Sequence, residues 1–215
     1  MKRYVWYMLG LVLSSLGNTL MVKMMLGQST FNAMIYNVSL LTHLKIGYIS
    51  IMFNICVMLI QIIILNKNFK KIQLLQMVPG IICGVILNFF IYDYPLTSNL
   101  EINQYMLEIF VFISGLLINA FGISLITTAH IVAAPIETLC LILSEKTRYS
   151  FRIYRTGFDV FFITVAIIVM VIMGKNTYTI REGTLINLLF MGTLIGFFNQ
   201  LCIRYIYADT KNCEY

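Results

Sequence analysis

The chain has 215 residues, of which 60% are hydrophobic and 11% charged, with a net charge of +6. Soluble domains carry roughly 25% charged residues, and so short a chain has no core large enough to hide the uncharged run Phe110–Ile126 or the run Phe158–Met173, whose one charge is Asp159. The composition excludes an ordinary soluble enzyme. The basic residues sit in short loops between apolar runs, which argues against a nucleic-acid partner and for a polytopic membrane protein.

In chain order, the first apolar run extends from about Tyr4 to Met25, with Tyr4, Trp6 and Tyr7 where an interfacial aromatic belt would lie. Lys2–Arg3 ahead of it imitates a secretory signal. No small-x-small cleavage site follows, so the run reads as a retained span. Gly27-Gln28-Ser29-Thr30 is a loop with N-cap chemistry. It leads into a segment of mixed polarity, residues 31–42, too short to cross a bilayer and therefore expected to be re-entrant or interfacial. A second span runs from about Ile46 to Leu65 and is closed by Lys67, Lys70 and Lys71. A third runs from about Ile72 to Tyr92 and is broken by Asp93-Tyr94-Pro95. The polar stretch 96–104 separates two halves.

The fourth span covers about Tyr105–Thr128. A second short segment, 135–144, follows, with Pro135 in its first turn. The fifth span is about Phe151–Gly174 and the sixth about Thr184–Tyr205, with a polar tail at 208–215. The expected fold is all-α, with six transmembrane helices and two short re-entrant or interfacial helices.

The halves 1–95 and 105–207 repeat. At an offset of 105, Gly10 matches Gly115, Gly17 matches Gly122, and Asn54 matches Asp159. At an offset of 112, Gly80 and Gly84 match Gly192 and Gly196. Self-similarity in several separate places under one gapped alignment points to an internal duplication. With three crossings per half and the N-terminus inside, 11 basic residues fall inside and 4 outside; if the short segments also crossed, the division would be 9 to 6. The positive-inside rule favours the first arrangement, with both termini cytoplasmic. An odd number of spans per half makes the second half enter from the opposite side. This 3+3 inverted-topology repeat recurs in secondary transporters, whose sites lie where helices break.

Three pieces of the second half carry a likeness. They are Ala134-Pro135-Ile136-Glu137 leading into Leu143-Ser144-Glu145-Lys146-Thr147, then Arg155-Thr156-Gly157-Phe158-Asp159, and Glu182-Gly183-Thr184-Leu185-Ile186-Asn187 running into Gly192 and Gly196. In these the chain resembles the YczE/YitT-like family of bacterial integral membrane proteins. It departs from that family's pattern where Ala134 replaces a glycine and Glu137 an aspartate, and it matches the short form without a soluble C-terminal domain. The resemblance implies a multi-pass inner-membrane protein. It implies no agreed activity, since members are at most guessed to be transporters.

Asp159 is the leading candidate for binding a substrate or ion, because a carboxylate in an apolar run is costly and faces protein or water. Arg155, one turn earlier, can pair with it; an ion pair that merely fixes helix depth is the plainer alternative. Glu137 lies in the first turn of its segment, where the helix dipole favours a carboxylate, with Asn32 expected opposite it across a cavity. Asn54 and His130 complete the candidate set. His130 has no partner at metal spacing, and Cys56, Cys83, Cys140, Cys202 and Cys213 form no CxxC, so no metal site or cofactor is expected. Gly10, Gly17, Gly80, Gly84, Gly115, Gly122, Gly192 and Gly196 read as helix-packing positions, with Gly80/Gly84 and Gly192/Gly196 expected to join the halves. Asn88 and Asn199 read as hydrogen-bond donors or acceptors across helices. The Lys146–Arg155 cluster suits anionic lipid headgroups. No Walker A, GxSxG or HExxH motif is present, so an enzyme is not expected. The sequence favours a small-molecule or ion transporter; the alternative is a membrane scaffold or regulator, and a homo-oligomer fits either.

Overall fold

A computed structural model of the protein describes residues 2–66, 69, 71–98, 104–129, 131, 134–174 and 181–211. All regular structure among them is helical. The helices are α1 (Lys2–Met24), α2 (Thr30–Thr42), α3 (Ile46–Leu65), α4 (Met77–Asn88), α5 (Pro95–Ser98), α6 (Tyr105–Ala129), α7 (Pro135–Lys146), α8 (Phe151–Met173) and α9 (Glu182–Lys211). Six stretches are long and apolar enough to cross a membrane: Arg3–Met24, Ile46–Leu65, Gln73–Asp93, Tyr105–Ala129, Ile153–Met173 and Glu182–Arg204. The chain is a multi-pass membrane protein, and α2 and α7 stand where the two short segments are expected.

The third span is not one regular helix. A 3-10 stretch, Lys71–Gln76, precedes α4, and a π turn, Phe89–Asp93, follows it. Pro79 has no N–H to give to the turn before it, so that turn tightens. At the other end the Tyr94 N–H reaches back to the Phe89 carbonyl at 2.9 Å. The stretch after the break is also not all linker. Pro95 opens the single turn α5, and Thr97 closes it by donating its hydroxyl to the Phe90 and Tyr94 carbonyls.

Packing divides the chain into two units, each drawn from both sequence halves. The first comprises Met1–Gly27, Phe89–Ile131 and Arg181–Tyr215; the second comprises Gln28–Asn88 and Val132–Ile180.

In the first unit α1 and α6 run antiparallel. Gly10 lies against Gly122, and Gly17 against Gly115. A Cβ on Gly17 would sit 2.5 Å from the Asn119 nitrogen and 2.6 Å from the Gly115 oxygen, so only glycine lets the backbones approach this closely. Asn119 donates its amide to Asn18 Oδ1 across the same seam at 2.9 Å. α9 fastens to α6 by polar bonds. Ser124 donates to the Ile195 carbonyl at 3.1 Å, and Asn199 Oδ1 accepts from Thr127 at 2.9 Å and from Thr128 at 3.3 Å. The expected role of Asn199 across helices is met there. Below these bonds Met21, Met24, Leu26, Phe112 and Leu116 form an apolar cluster closed by Ile186, Met191 and Leu194.

The remaining glycine pairs depart from expectation. In the second unit Gly84 packs on the backbone of Gly47 and on Ile51, and Gly80 on Asn54, so that pair joins α4 to α3 of its own half. Asn88 completes this seam, its Oδ1 accepting the Gly47 N–H at 2.8 Å. The N-cap Lys45 does not cap α3 with its side chain, so Asn88 does that work from α4. Gly192 and Gly196, their sequence counterparts, meet nothing: a Cβ on either would find no atom within 4 Å. Ile186, Met191 and Leu194 turn toward the cluster around Phe112, and the side of α9 that carries the two glycines is uncovered among the described residues.

Also in the second unit, α2 and α8 run parallel in one register. Thr30 meets Asp159, Phe31 meets Phe162, and Asn37 meets Ala166. α7 instead lies across the end of α3. Its first residue, Pro135, accepts from Gln61, and its last, Lys146, donates to the Ile64 carbonyl. Both ends of a 12-residue helix therefore meet one turn of α3.

Candidate functional site

The geometry gathers in the second unit around Asp159, the one acidic residue in α8. Thr30 is the first residue of α2 and is buried. Its hydroxyl donates to Asp159 Oδ1 at 2.6 Å, a short charge-assisted bond between residues 129 positions apart. Arg155 Nη2 lies 3.6 Å from the same oxygen, an ion pair too long for a good hydrogen bond. The side chains of Arg155 and Asp159 are 41% and 22% exposed, so the pair is only partly buried. The N-terminus of α2 adds its positive dipole end, while Ser29 caps the helix internally by accepting the Asn32 N–H at 3.3 Å. A hydroxyl, a guanidinium and a helix N-terminus together offset the cost of a carboxylate in a spanning helix.

An apolar wall stands one turn further on. Phe31, Phe53 and Phe162 pack edge-to-face with ring centroids 5.3–5.6 Å apart, one ring from each of α2, α3 and α8. Past this wall is Asn37, 0% exposed, whose Nδ2 donates to the Ala166 carbonyl at 2.9 Å. Gln61, also 0% exposed, donates Nε2 to the Pro135 carbonyl at 2.7 Å. The amide oxygens of Asn37 and Gln61 accept no hydrogen bond from the described residues. A buried polar atom left without a partner costs about 1–3 kcal/mol. Those on Asn37 and Gln61 mark places suited to a water or a polar ligand, and Gln76 Oε1 in the same unit is a further such atom.

The candidate residues separate in space. Asp159 and Arg155 come together. Glu137 is exposed on the first turn of α7. Its charge is nevertheless felt at Cys140, whose thiol is pushed up by burial, held down by Arg155, and pushed up again by Glu137 and Asp159. Asn32 is half-buried in the first turn of α2, and Asn54 is half-buried against Gly80 on α4. Asn54 therefore packs in the α3–α4 seam instead of mirroring Asp159. His130 lies outside the described residues. Among the described residues no group of three or more His, Cys, Asp or Glu could hold a metal. Thr30, Asn37 and Gln61 are the residues that pattern reading passed over. Each is a polar side chain in or beside an apolar segment, which was the available signal.

A family model described as a family of unknown function, DUF6198, matches residues 1–200. The chain belongs to this family. The match takes in all of α1–α8 and most of α9, hence every residue of the Asp159 cluster. This DUF6198 chain is also similar to the uncharacterized protein YyaS of Bacillus subtilis, 22% identical over 209 residues that cover 97% of this chain and 98% of the relative. No solved structure matches the chain.

Proposed function

We propose that this protein is a small secondary transporter of the bacterial plasma membrane that binds a small solute or ion at the Asp159 cluster. The observation that carries the reading is the Thr30–Asp159–Arg155 constellation, in which a short helix of the first half presents its N-terminus to a carboxylate in a spanning helix of the second. Transporters place their sites where short or broken helices direct their ends at charged groups. The buried amide oxygens of Asn37 and Gln61 offer further polar contacts in the same unit.

An inverted-topology repeat supports this reading. The reciprocal crossing of Gly10 on Gly122 and Gly17 on Gly115 sets each glycine against the repeat counterpart of the other on two antiparallel helices, as three crossings per half require. In the same arrangement both termini are cytoplasmic, α2 is re-entrant beside α8, and α7 is interfacial. The motif resemblance in the second half supports a kinship of this chain with the YczE/YitT-like membrane proteins. The protein acts without catalysing a covalent reaction.

A second reading, a scaffold or regulator, draws on one observation. The span of α9 is only 11% buried, and Gly192 and Gly196 are open, leaving room for a partner helix or a second copy.

Currents from proteoliposomes on a solid-supported membrane, screened against amino acids, organic acids, nucleosides and sodium or proton gradients, test the transport reading. Wild type gives a solute-dependent current, and Asp159→Asn, inserted with native helicity, loses it. A current that survives Asp159→Asn places the site elsewhere. Silence across the screen, with a stoichiometric cross-linked partner, favours the scaffold.

A further inference from the structure

We propose that one end of the second unit, where α3 stops, α7 lies crosswise and α8 starts, is a binding surface for anionic phospholipid headgroups. Three observations place it. Lys146 donates to the Ile64 carbonyl, one of the last-turn groups of α3 that have no helical donor. That bond brings the loop after α7 to the end of α3. Lys67, Lys70 and Lys71 follow α3 in sequence, so each half of the chain carries a basic stretch adjoining this contact; Lys67 and Lys70 themselves lie outside the described residues. Residues 64–72 and 145–159 together carry seven basic side chains and two acidic ones, Glu145 and Asp159. Arg155 and Asp159 offset each other, and the six remaining basic side chains face only Glu145.

The level of the patch follows from the spans. α3 and α8 both cross the membrane, so the end of one and the start of the other lie at a bilayer surface. The connection from Lys146 to Ser150 is exposed throughout. Tyr149 projects from it, 62% exposed, and packs edge-on to Tyr154 with centroids 6.5 Å apart. Tyr154 in turn shares a hydrogen bond with Thr147 at 2.9 Å. Aromatic rings beside basic residues are what a headgroup layer accommodates. Ser150 stands at the N-cap of α8 without making a side-chain cap, and its carbonyl takes the Ile153 N–H at 3.0 Å, so the phosphate contact here falls to Arg148. The occupant is therefore a lipid phosphate with net negative charge, and clusters of basic residues at the end of a span hold such lipids at roughly 1 kcal/mol per residue. The positive-inside rule alone would put these charges on the cytoplasmic side without any retained lipid, and that is the competing account.

Native mass spectrometry of the full-length protein in detergent, with phosphatidylglycerol and phosphatidylcholine offered in competition, separates the two. Wild type retains phosphatidylglycerol preferentially. Arg148→Gln weakens that retention about fivefold, as loss of one interfacial charge implies, and Arg148→Lys restores most of it. Lys70→Gln, in the loop of the other half, weakens it similarly. The double variant loses less than the product of the two, because both residues serve one surface. Arg204→Gln, exposed on α9, leaves retention unchanged. Equal retention of both lipids by wild type, or indifference to Arg148→Gln, or an equal loss in Arg204→Gln, overturns the proposal.

Discussion

Substituting Gly17 by alanine tests how tightly α1 and α6 are joined. The new Cβ would stand 2.5 Å from the Asn119 nitrogen, 2.6 Å from the Gly115 oxygen and 2.7 Å from the Asn119 Cβ, all inside the 3.0 Å that real Cβ contacts respect. Two of these are backbone atoms and the third is fixed to the backbone, so no flexible side chain can yield. The helices must part by about 0.5–1 Å, a gap that forfeits a quarter to a half of each dispersion contact along the seam. It also stretches the Asn119–Asn18 bond. Overpacking of this kind costs about 1–3 kcal/mol, and rigid neighbours put Gly17→Ala toward the upper end. At about 2–4 °C per kcal/mol for a chain of this size, the melting temperature falls by roughly 5–10 °C. The assay is thermal unfolding in detergent followed by circular dichroism. Gly192→Ala is the matched control: its Cβ meets nothing within 4 Å, and alanine favours the helix by about 0.5–1 kcal/mol, so stability is unchanged or slightly raised. Equal melting of Gly17→Ala and wild type, or equal loss in both variants, would refute the packing argument.

Three further outcomes are expected. Asn88→Ala removes the acceptor for the Gly47 N–H and costs about 1 kcal/mol, as loss of a helix cap does, read as a lower melting temperature with native helicity retained. Asn199→Leu breaks the bonds from Thr127 and Thr128 to α9. Hydrogen bonds between membrane helices average about 0.6 kcal/mol each, so the loss is near 1 kcal/mol, and cysteine cross-linking between α6 and α9 becomes less efficient. Cys140 is buried, and burial raises its thiol above the ordinary range, which lowers the thiolate fraction. N-ethylmaleimide therefore reaches Cys140 only after the protein unfolds, as peptide mapping will show.

The spans and the two short helices are legible in the sequence because run length is a direct consequence of bilayer thickness. The antiparallel α1–α6 seam is nearly so, since Gly10, Gly17, Gly115 and Gly122 repeat at one spacing and small residues mark close approach. The same reasoning misleads at Gly192 and Gly196, because small residues permit a contact without requiring one. The pairing of Arg155 with Asp159 follows from helical spacing alone. The Thr30–Asp159 bond does not, because it depends on the register of two helices far apart in sequence. Nor does the crosswise seat of α7, which two contacts with a single turn of α3 determine.

Binding at the Asp159 cluster is tested most directly by thermal unfolding of wild type and Asp159→Asn against a broad panel of metabolites and ions. A ligand present at a hundred times its dissociation constant stabilises the folded state by about 2.7 kcal/mol, a rise of roughly 5–10 °C here. The account predicts such a rise for one chemical class in wild type and none in Asp159→Asn. A rise of the same size in both proteins, or no rise for any compound while Asp159→Asn folds as well as wild type, would contradict it.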